Sequence, residues 1–541
     1  MRWIKEASTS FFKKRYKKPF SLMPRGDKSF LVLFFKKGLL SSFLLGCLTA
    51  LALPPFTLTF LVFVTIPGLL ALIGRASSWR GAALRGLLFG LGLNLIGLYW
   101  VTNAVLVMAA QFWWAVPISV PLLSAVLAVF IAVPCGLARL VSPGWGRVLA
   151  LSGLWVLGDL ARQFVLSGFP WNLLGSVWEF PGDVGLAFIQ PAAWVGVHGL
   201  TLATLLIAGA MGLGPRVQAG AFAALAAWGA AGAWRLSVPA PETSLTAVIV
   251  QGNISEQDHR DHGTERAWAE SVFDRYLALT RAGVREAGTG ANVVVVWPET
   301  ASPFALAQDP GGRRAVADAA APALMTLAGT ERFEPGNIAH NSLVAVAPDG
   351  SLAGFYDKAH LVPFGEYFPS YAHIILGEQG FVPGPGLRTL HLPPLPAIGA
   401  LICYEAIFPS QVVAAGDRPQ LLVNITNDAW FGDSAGPRQH LAAARMRTVE
   451  EGLPMLRAAN TGISAIIDAQ GRITKRLEIG RSGVLVAKIP GAMAQTIAGR
   501  FGLYGPGLLA CLCVGFGVGI RSNATVVLKK LENDSEKRKL G

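Results

Sequence analysis

Apolar stretches long enough for membrane-spanning helices follow one another from residue 38 to residue 238, and this succession constrains the fold more than any other feature. A helix needs about 20 apolar residues to cross the hydrocarbon core of a bilayer. We predict seven spans in this region and an eighth near the C-terminus, which makes the chain a polytopic α-helical membrane protein with 8 TM helices. The predicted spans are residues 38–53, 56–74, 82–105, 113–140, 148–166, 186–212, 216–236 and 503–521.

A more polar region, about residues 239–500, separates the seventh span from the eighth. Short apolar or β-branched runs alternate there with helical stretches, and two Gly-containing dipeptides, Asp349-Gly350 and Gln470-Gly471, have the character of hairpin turns. Strands interleaved with helices favour an inserted α/β domain with a layered sandwich fold. The predicted strands are residues 245–250, 292–297, 324–328, 342–347, 398–403, 420–425, 463–468 and 483–489, and the predicted helices are 266–287 and 439–451.

Charge is concentrated at the two ends of the chain. Of a net charge of +13, residues 1–37 contribute +9 and residues 521–541 contribute +3. A nucleic-acid-binding surface needs basic residues spread over a folded face, so this distribution excludes nucleic acid as a partner. Only 15% of the residues are charged, against about 25% in an average soluble domain, which excludes an ordinary soluble enzyme.

The basic residues also predict the orientation of the chain in the membrane. Lys and Arg accumulate in cytoplasmic loops, and two basic ends joined by an even number of spans place both termini in the cytoplasm. The polar domain then lies on the opposite side of the membrane. The predicted organisation is a basic N-terminal extension (1–37), a seven-helix region (38–238), an extracytoplasmic domain (239–500), an eighth helix (501–521) and a basic tail (522–541).

The cysteines are distributed unevenly between these regions. Cys47, Cys135, Cys511 and Cys513 fall in predicted spans, and Cys403 is the only cysteine of the polar domain. A single cysteine cannot form a disulfide within its domain, so Cys403 is a candidate reactive thiol. The alternative is an ordinary core residue at the end of an apolar strand.

Three segments of the polar domain carry groups suited to acyl transfer: Glu299 ends the first, Lys358 lies in the second, and Cys403 ends the third. In open α/β sheets, functional groups gather at the carboxyl ends of strands. A cysteine attacks a carbonyl as the thiolate, a nearby carboxylate can accept its proton, and a fixed ammonium stabilises the developing oxyanion. The three residues together form a complete acyl-transfer site. Each alone also has an ordinary structural interpretation: Glu299 as a strand-end cap, Lys358 as a surface charge and Cys403 as a core thiol.

These segments, WPET, YDKAHLVPFGEY and ICYE, resemble the carbon–nitrogen hydrolase (nitrilase) superfamily, which uses a Glu-Lys-Cys triad on an αββα sandwich. With seven spans before the domain and one after it, residues 38–521 resemble the apolipoprotein N-acyltransferases of bacterial inner membranes. The resemblance implies that Glu299 is the general base, Lys358 the stabiliser of the tetrahedral intermediate and Cys403 the nucleophile. It assigns supporting positions to Asn341, Glu366, Tyr404 and Glu405. The alternative is that Tyr404 and Glu405 are simple turn residues and that Asn341 is a turn former, a common role of asparagine beside a strand.

The same resemblance implies a reaction. An acyl chain passes from a phospholipid to Cys403 as a thioester, and then to the α-amine of the S-diacylglyceryl-cysteine of an apolipoprotein, the last step of lipoprotein maturation. It implies a periplasmic catalytic domain, and it requires neither a metal nor an organic cofactor. The chain departs from the family after Gln251-Gly252-Asn253-Ile254, where a Lys-Trp pair is usual and Ser255-Glu256 follows here.

Two other functions remain open from the residues. A membrane-tethered amidase or nitrilase would use the same triad with water as the acceptor. A transporter or receptor would use the hydrolase-like domain for binding, and charged residues within its spans would mark the transport path; the predicted spans contain few charges. The cluster His259, Asp261 and His262 could mimic a metal site, but its polar surroundings favour a solvated loop.

Overall fold

The computed structural model describes residues 37–107, 112–255, 264–288, 292–367 and 380–520. The cluster His259, Asp261 and His262, the basic extension before residue 37 and the basic tail after residue 520 lie outside the described residues.

The N-terminal half of the described chain is helical, as the apolar stretches predict. Its core is formed by side chains such as Ile66, Phe89 and Trp155, which are buried among the helices. A further apolar helix, Tyr504–Ile520, follows the polar domain. The helices of the first half are α1 (Lys37–Ala50), α2 (Val62–Gly74), α3 (Trp79–Gly97), α4 (Val101–Val107), α5 (Val116–Ala138), α6 (Trp145–Phe164), α7 (Gly182–Ile189), α8 (Ala192–Ala210) and α9 (Pro215–Leu236).

Length and apolar composition identify fewer membrane-crossing helices than the sequence predicts. Among the described residues, Trp113–Ala138 and Ala192–Ala210 are long and apolar enough to cross a bilayer, and the bent pair α3 and α4 adds a third if it forms one span. Three other apolar helices are shorter than a full span: Gly38–Ala50, Thr59–Gly74 and Tyr504–Ile520.

The span predicted over residues 82–105 is not one continuous helix. The chain bends by 55° between α3 and α4. In a continuous helix the Gly97 carbonyl would accept from the N–H of Val101, but that N–H bonds to Leu98 instead, at 3.0 Å. The Gly97 carbonyl accepts from the side-chain amides of Asn172 (3.1 Å) and Gln439 (3.2 Å). The break is therefore stabilised by polar side chains from outside the helix.

The span predicted over residues 186–212 is not one continuous helix either. Helix α7 ends at Ile189 and α8 begins at Ala192, with Gln190 and Pro191 between them, and the backbone inside α8 is non-helical at Gly196. Gly196 has φ +65°, in the left-handed region that glycine enters without steric cost. The N–H of the next residue, Val197, donates to the Glu450 carboxylate of the polar domain at 2.7 Å.

The polar domain is an αββα sandwich of two six-stranded sheets. Their facing sides pack against each other through residues such as Val294, Leu327, Ile402 and Val423. The strand orders are β12-β1-β2-β3-β4-β5 and β11-β10-β9-β8-β7-β6. The strands are β1 (Glu242–Gln251), β2 (Asn292–Val296), β3 (Met325–Glu334), β4 (Ile338–Val346), β5 (Leu352–Asp357), β6 (Thr389–Leu390), β7 (Ile398–Ile402), β8 (Leu421–Thr426), β9 (Met455–Ala459), β10 (Ser464–Ile467), β11 (Ile473–Leu477) and β12 (Gly483–Pro490).

Helices cover the outer faces of both sheets. Helices α10 (Glu265–Ala287) and α11 (Pro310–Ala320) pack on the first sheet. Helix α12 (Ala435–Glu451) packs on the second sheet through Leu441 and Ala444, and on the helical region through Met446 and Val449. Because α12 lies between the second sheet and the helical region, this sheet is held close to the apolar helices. A short helix, α13 (Ile497–Phe501), precedes the last apolar helix.

Candidate active site

Three predicted site residues lie just beyond the carboxyl ends of strands from both sheets. Glu299 follows β2, Lys358 follows β5, and Cys403 follows β7 directly. The backbone at Glu299 also lies close to Gly329 of β3, where an added Cβ would come within 2.1 Å of the Pro298 carbonyl oxygen. A residue with no side chain is therefore required at position 329 to seat Glu299 against the sheet.

Lys358 is the central cation of the site, and only 1% of its surface is exposed. Its Nζ lies 3.1 Å from Glu299 Oε1 and 2.8 Å from Glu366 Oε1. Burial alone would lower the pKa of Lys358, but the charges of Glu299 and Glu366 outweigh it, so the pKa is raised above its ordinary value. The ammonium is therefore charged, and it is fixed between two carboxylates.

Hydrogen bonds also fix the two carboxylates. Asn341 Nδ2 donates to Glu299 Oε1 at 2.7 Å and to Glu366 Oε1 at 2.8 Å. The second oxygen of each carboxylate accepts a backbone N–H, from Asn427 (2.7 Å) and Val362 (2.8 Å) respectively. Asn341 therefore acts as a bridge within the site, although its sequence position is equally typical of a turn residue.

Cys403 occupies a strained turn between β7 and the short 3₁₀ helix Cys403–Ile407. Its φ of +50° lies in the left-handed region, which is unusual for a residue with a side chain. The side chain is buried, and burial and Glu299 raise the pKa of the thiol while Lys358 lowers it, with a net increase. A thiol in this environment is protonated at rest and needs a base before it can attack.

Glu405 connects the Cys403 turn to the Lys358 segment. Its Oε2 accepts from Ile402 N at 2.7 Å, and its Oε1 accepts from Tyr356 Oη and Ala359 N, each at 2.8 Å, and from His360 N at 3.1 Å. Burial raises the pKa of Glu405. Glu405 therefore makes long-range contacts that a simple turn residue would not make.

Tyr404 points towards the helical region, where its hydroxyl donates to the Gly168 carbonyl at 2.6 Å. His360, from the Lys358 segment, approaches the neighbouring Ser167 carbonyl at 2.6 Å. The rings of Tyr404 and Phe408 pack edge to face, 5.1 Å apart. These contacts hold the Cys403 turn against the loop that follows α6.

Gln439, on α12, joins the polar domain to three loops of the helical region. Its Oε1 accepts from the indole N–H of Trp100 (3.0 Å) and of Trp171 (2.8 Å). Its Nε2 donates to the carbonyls of Pro54 (3.1 Å) and Gly97 (3.2 Å). All four hydrogen-bonding positions of this buried amide are used, so it fixes the site relative to the apolar helices.

The sequence analysis gives no role to three buried residues behind Cys403: Asp428, His440 and Arg457. His440 Nε2 lies 3.0 Å from the Cys403 carbonyl oxygen, and Asp428 lies 2.9 Å from both His440 and Arg457. Cys403 Sγ and one ligand atom each of Asp428 and His440 lie within 4.8 Å of one another. The donor atoms of Asp428 and His440 are already used in hydrogen bonds, and the charges of Lys358 and Arg457 oppose a cation there, so the cluster fits a hydrogen-bond network better than a metal centre.

Comparisons with known proteins cover both regions. Residues 248–498 match the carbon-nitrogen hydrolase family, and residues 45–210 match the apolipoprotein N-acyltransferase N-terminal domain family. The chain is similar to the apolipoprotein N-acyltransferase of Rhodopseudomonas palustris, with 37% identity over 85% of this chain and 90% of that protein. The corresponding protein of Brucella melitensis is 38% identical over 83% of this chain and 89% of its own length. Among solved structures, the CN-hydrolase superfamily protein XC1258 from Xanthomonas campestris aligns with 49% of this chain and 97% of its own, at 21% identity and a TM-score of 0.35.

Proposed function

We infer the reaction from one premise: this chain belongs to the apolipoprotein N-acyltransferase family. It is therefore a membrane N-acyltransferase of lipoprotein maturation with a carbon-nitrogen hydrolase domain. The acyl donor that we propose is a phospholipid, and the acceptor is the α-amine of the S-diacylglyceryl-cysteine of an apolipoprotein. The observation that carries this proposal is the fixed group of Glu299, Lys358 and Cys403, held directly against the apolar helices by Tyr404 and Gln439.

In the first half-reaction, Glu299 takes the proton of the Cys403 thiol, and the sulfur attacks the ester carbonyl of the phospholipid. Lys358 stabilises the negative charge that forms on the carbonyl oxygen. When the tetrahedral intermediate collapses, the carbon–oxygen bond to the glycerol breaks. The released alkoxide takes the proton from Glu299 and leaves as a lysophospholipid. Cys403 then carries the acyl chain as a thioester.

In the second half-reaction, the neutral α-amine of the lipoprotein attacks the thioester carbonyl. Glu299 removes the proton from the attacking nitrogen, and Lys358 again stabilises the oxyanion. The carbon–sulfur bond breaks, and the thiolate regains its proton from Glu299. The products are an N-acylated lipoprotein and the free enzyme. Water must stay away from the thioester, since hydrolysis would release the acyl chain as a fatty acid.

Asn341, Glu366 and Glu405 support this chemistry without touching the reacting carbonyl. Asn341 and Glu366 hold Lys358 and Glu299 at a fixed separation. Glu405 holds the Cys403 turn beside the Lys358 segment. Such a rigid arrangement is effective because the donors need no reorganisation when charge develops in the transition state.

The topology that we propose has eight membrane crossings, with the polar domain (239–500) on the periplasmic face of the inner membrane and both basic ends in the cytoplasm. The Lys/Arg distribution supports this orientation. The apolar helices shorter than a full span must then be completed by flanking residues or by a locally thinner bilayer. Cysteines introduced at the exposed positions Ser77 and Arg476 test the orientation, because a membrane-impermeant maleimide applied to spheroplasts should label only the second.

The main alternative function is a membrane-tethered hydrolase that uses the same triad with water as the acceptor. Such a hydrolase would release free fatty acid, whereas the acyltransferase joins the acyl chain to an amine. Adding a diacylated lipopeptide separates the two, since the acyltransferase yields an N-acylated peptide in proportion to the lysophospholipid formed. Fatty acid as the main product would establish the hydrolase.

The decisive experiment is to incubate the purified protein with labelled phospholipid and to locate the acyl adduct by mass spectrometry. We expect a thioester on Cys403, no adduct in Cys403→Ala, and almost none in Cys403→Ser, because Glu299 is a weak base for an alcohol. Cys511→Ala is the matched control, since that cysteine lies in the last apolar helix. Substantial transfer by Cys403→Ala would refute the mechanism.

A further inference from the structure

Helix α12 places His440 directly behind the nucleophile, where it is fully buried. Its Nε2 lies 3.0 Å from the backbone carbonyl oxygen of Cys403. A carbonyl oxygen can only accept a hydrogen bond, so Nε2 carries the hydrogen. His440 therefore contacts the main chain of Cys403.

The other ring nitrogen has a partner in either protonation state. His440 Nδ1 lies 2.9 Å from Asp428 Oδ1 and 3.2 Å from Arg457 Nη2. Burial alone would raise the pKa of Asp428, but Arg457 and His440 outweigh it and lower that pKa to about 2, so Asp428 is ionised. A protonated Nδ1 donates to Asp428, and an unprotonated Nδ1 accepts from Arg457. Nε2 remains a donor to Cys403 in both cases.

The bond from His440 acts on the strained residue of the site. Cys403 has φ +50°, and such a conformation costs of order 1–3 kcal/mol, so it persists only where the surroundings enforce it. Attack on a carbonyl is sensitive to alignment, and a misplacement of 1 Å can cost about a hundredfold in rate. A group that holds the Cys403 backbone therefore controls whether the thiol faces Glu299 and Lys358.

We propose that His440, held by Asp428 and Arg457, is a positioning residue for acyl transfer: it fixes the Cys403 carbonyl and thereby keeps the thiol aligned with Glu299 and Lys358. The inference rests on the proposed function, because it takes Cys403 as the nucleophile. His440 does not serve as the base for the thiol, since its Nε2 hydrogen is given to the carbonyl and its Nδ1 faces Asp428 and Arg457.

Two amide substitutions separate the two ring nitrogens. In His440→Gln the amide nitrogen is the same number of bonds from Cα as Nε2, so it can still donate to Cys403. In His440→Asn the amide nitrogen matches Nδ1, so the bond to Cys403 is lost while a contact with Asp428 is kept. His440→Leu removes both. We expect thioester formation within about threefold of wild type in His440→Gln, and at least about tenfold slower in His440→Asn and His440→Leu.

A second readout distinguishes positioning from a general defect. Iodoacetamide alkylation requires the Cys403 thiolate, and hence Glu299, but it forms no oxyanion and does not require alignment with Lys358. We expect the alkylation rate of Cys403, measured by mass spectrometry with Cys511 as the internal reference, to fall clearly less than the rate of thioester formation in His440→Asn and His440→Leu. The KM for phospholipid should be unchanged.

Two outcomes would overturn the proposal. One is equal thioester formation by His440→Asn and His440→Gln. Another is a parallel fall of alkylation and acylation, which would mean that the thiol itself has changed. If His440→Leu does not fold, the comparison of the Gln and Asn variants still decides, provided that their thermal unfolding midpoints agree. A wild-type protein that forms no Cys403 thioester would instead refute the proposed function, and this inference with it.

Discussion

Two groups of buried charges lie on different sides of the polar domain, and they tolerate burial in different ways. The proposed catalytic cluster (Glu299, Asn341, Lys358 and Glu366), called the catalytic cluster below, surrounds one ammonium with two carboxylates. Each carboxylate accepts hydrogen bonds at both oxygens. Negative charge is therefore stabilised here by donors already in place, and the arrangement is ready to meet an oxyanion.

The interface cluster (Glu179, Arg445, Arg447, Glu450 and Glu451) lies between α12 and the helical region. Arg447 pairs with Glu450 at 2.8 Å, whereas Glu179 makes no salt bridge with any described residue. Burial raises the pKa of Glu179 to about 8, against the opposing charges of Arg445 and Arg447, and burial together with Glu450 raises the pKa of Glu451 to about 7. Glu179 therefore tolerates burial by keeping its proton at neutral pH, and Glu451 keeps its proton below about pH 7.

This difference in how the two clusters tolerate burial indicates that they have different roles. The catalytic cluster holds charge in a fixed geometry, which a chemical step needs. The interface cluster holds two regions of the protein together, and a neutral carboxyl is less costly to bury than an ion. Substitutions in the first cluster should therefore change the rate, and substitutions at the interface should change stability and its dependence on pH.

The largest effect is expected at the catalytic cation. Lys358→Arg keeps the positive charge, but the guanidinium is larger and planar, and the buried site is fitted to an ammonium between Glu299 and Glu366. We expect thioester formation to slow by at least about a hundredfold, equivalent to about 2.7 kcal/mol of barrier. Single-turnover kinetics with labelled phospholipid measure it, with the exposed Lys475→Arg as control. Near-normal rates would show that Lys358 is only a structural charge.

A stability effect is expected at the joint between the regions. Gln439→Leu leaves two indole N–H groups, from Trp100 and Trp171, and the Pro54 carbonyl without this partner, whereas the Gly97 carbonyl keeps its bond from Asn172. Each buried unsatisfied group costs about 1–3 kcal/mol. We expect the thermal unfolding midpoint in detergent to fall by several degrees, or about 2 kcal/mol or more. Gln495→Leu, at an exposed position, is the control; equal midpoints for the two variants would contradict the role of Gln439.

The sequence predicts the polar domain well because its signals are local. All eight predicted strands and both predicted helices are confirmed, since β-branched runs and helical periodicity are properties of neighbouring residues. The strands β5, β6, β9 and β11 and the helices α11 and α13 were not predicted. β6 is only two residues long, and α11 begins at Pro310 in a Gly- and Ala-rich segment with few large apolar side chains.

The sequence predicts the residues of the catalytic cluster but not the network behind it. Glu299, Lys358 and Cys403 stand out because each ends or follows a strand in a distinctive motif. Asp428 lies in the short 3₁₀ helix that follows β8, His440 lies in α12 and Arg457 lies in β9, and their hydrogen bonds join positions 12 to 29 residues apart. The available signal was a histidine and two charged residues in segments that the structure buries. No local sequence pattern predicts that these three residues contact one another.

The breaks in the helical region could not be predicted from hydropathy either. Residues 82–105 and 186–212 are predominantly apolar, so hydropathy favours unbroken helices. The bend after Gly97 depends on side chains of Asn172 and Gln439, and the kink at Gly196 coincides with a contact from Glu450. Tertiary contacts thus override local propensity, although Pro191 and Gly196 were visible helix-breaking signals.

A smaller and pH-dependent effect is expected from Glu179→Gln. A carboxyl whose folded pKa is raised to about 8 contributes stability that is fully present below the unfolded pKa, about 4.3, and is lost as the pH rises through about 8. The glutamine cannot ionise, so the variant should exceed wild type in unfolding midpoint by about 2 °C at pH 8.5 and by less at pH 5.5. Glu270→Gln, on the exposed face of α10, is the control. A midpoint difference that does not depend on pH would show that the pKa of Glu179 is not raised in the folded protein.

Deleting residues 2–28 is expected to change neither the rate of thioester formation nor the unfolding midpoint. Both clusters lie within residues 179–451, and in the proposed topology the basic extension is on the cytoplasmic face, away from the catalytic domain. Basic residues remain after the second predicted span (Arg75, Arg80 and Arg85), and Arg139 and Arg147 follow the fourth, so orientation should be retained. The rate of Cys403 thioester formation and the unfolding midpoint, measured in detergent, should both match the full chain. If the shortened protein inserts normally but forms the thioester slowly, the extension acts on the catalytic cluster. The rate of the reaction would then depend on a part of the chain outside both clusters.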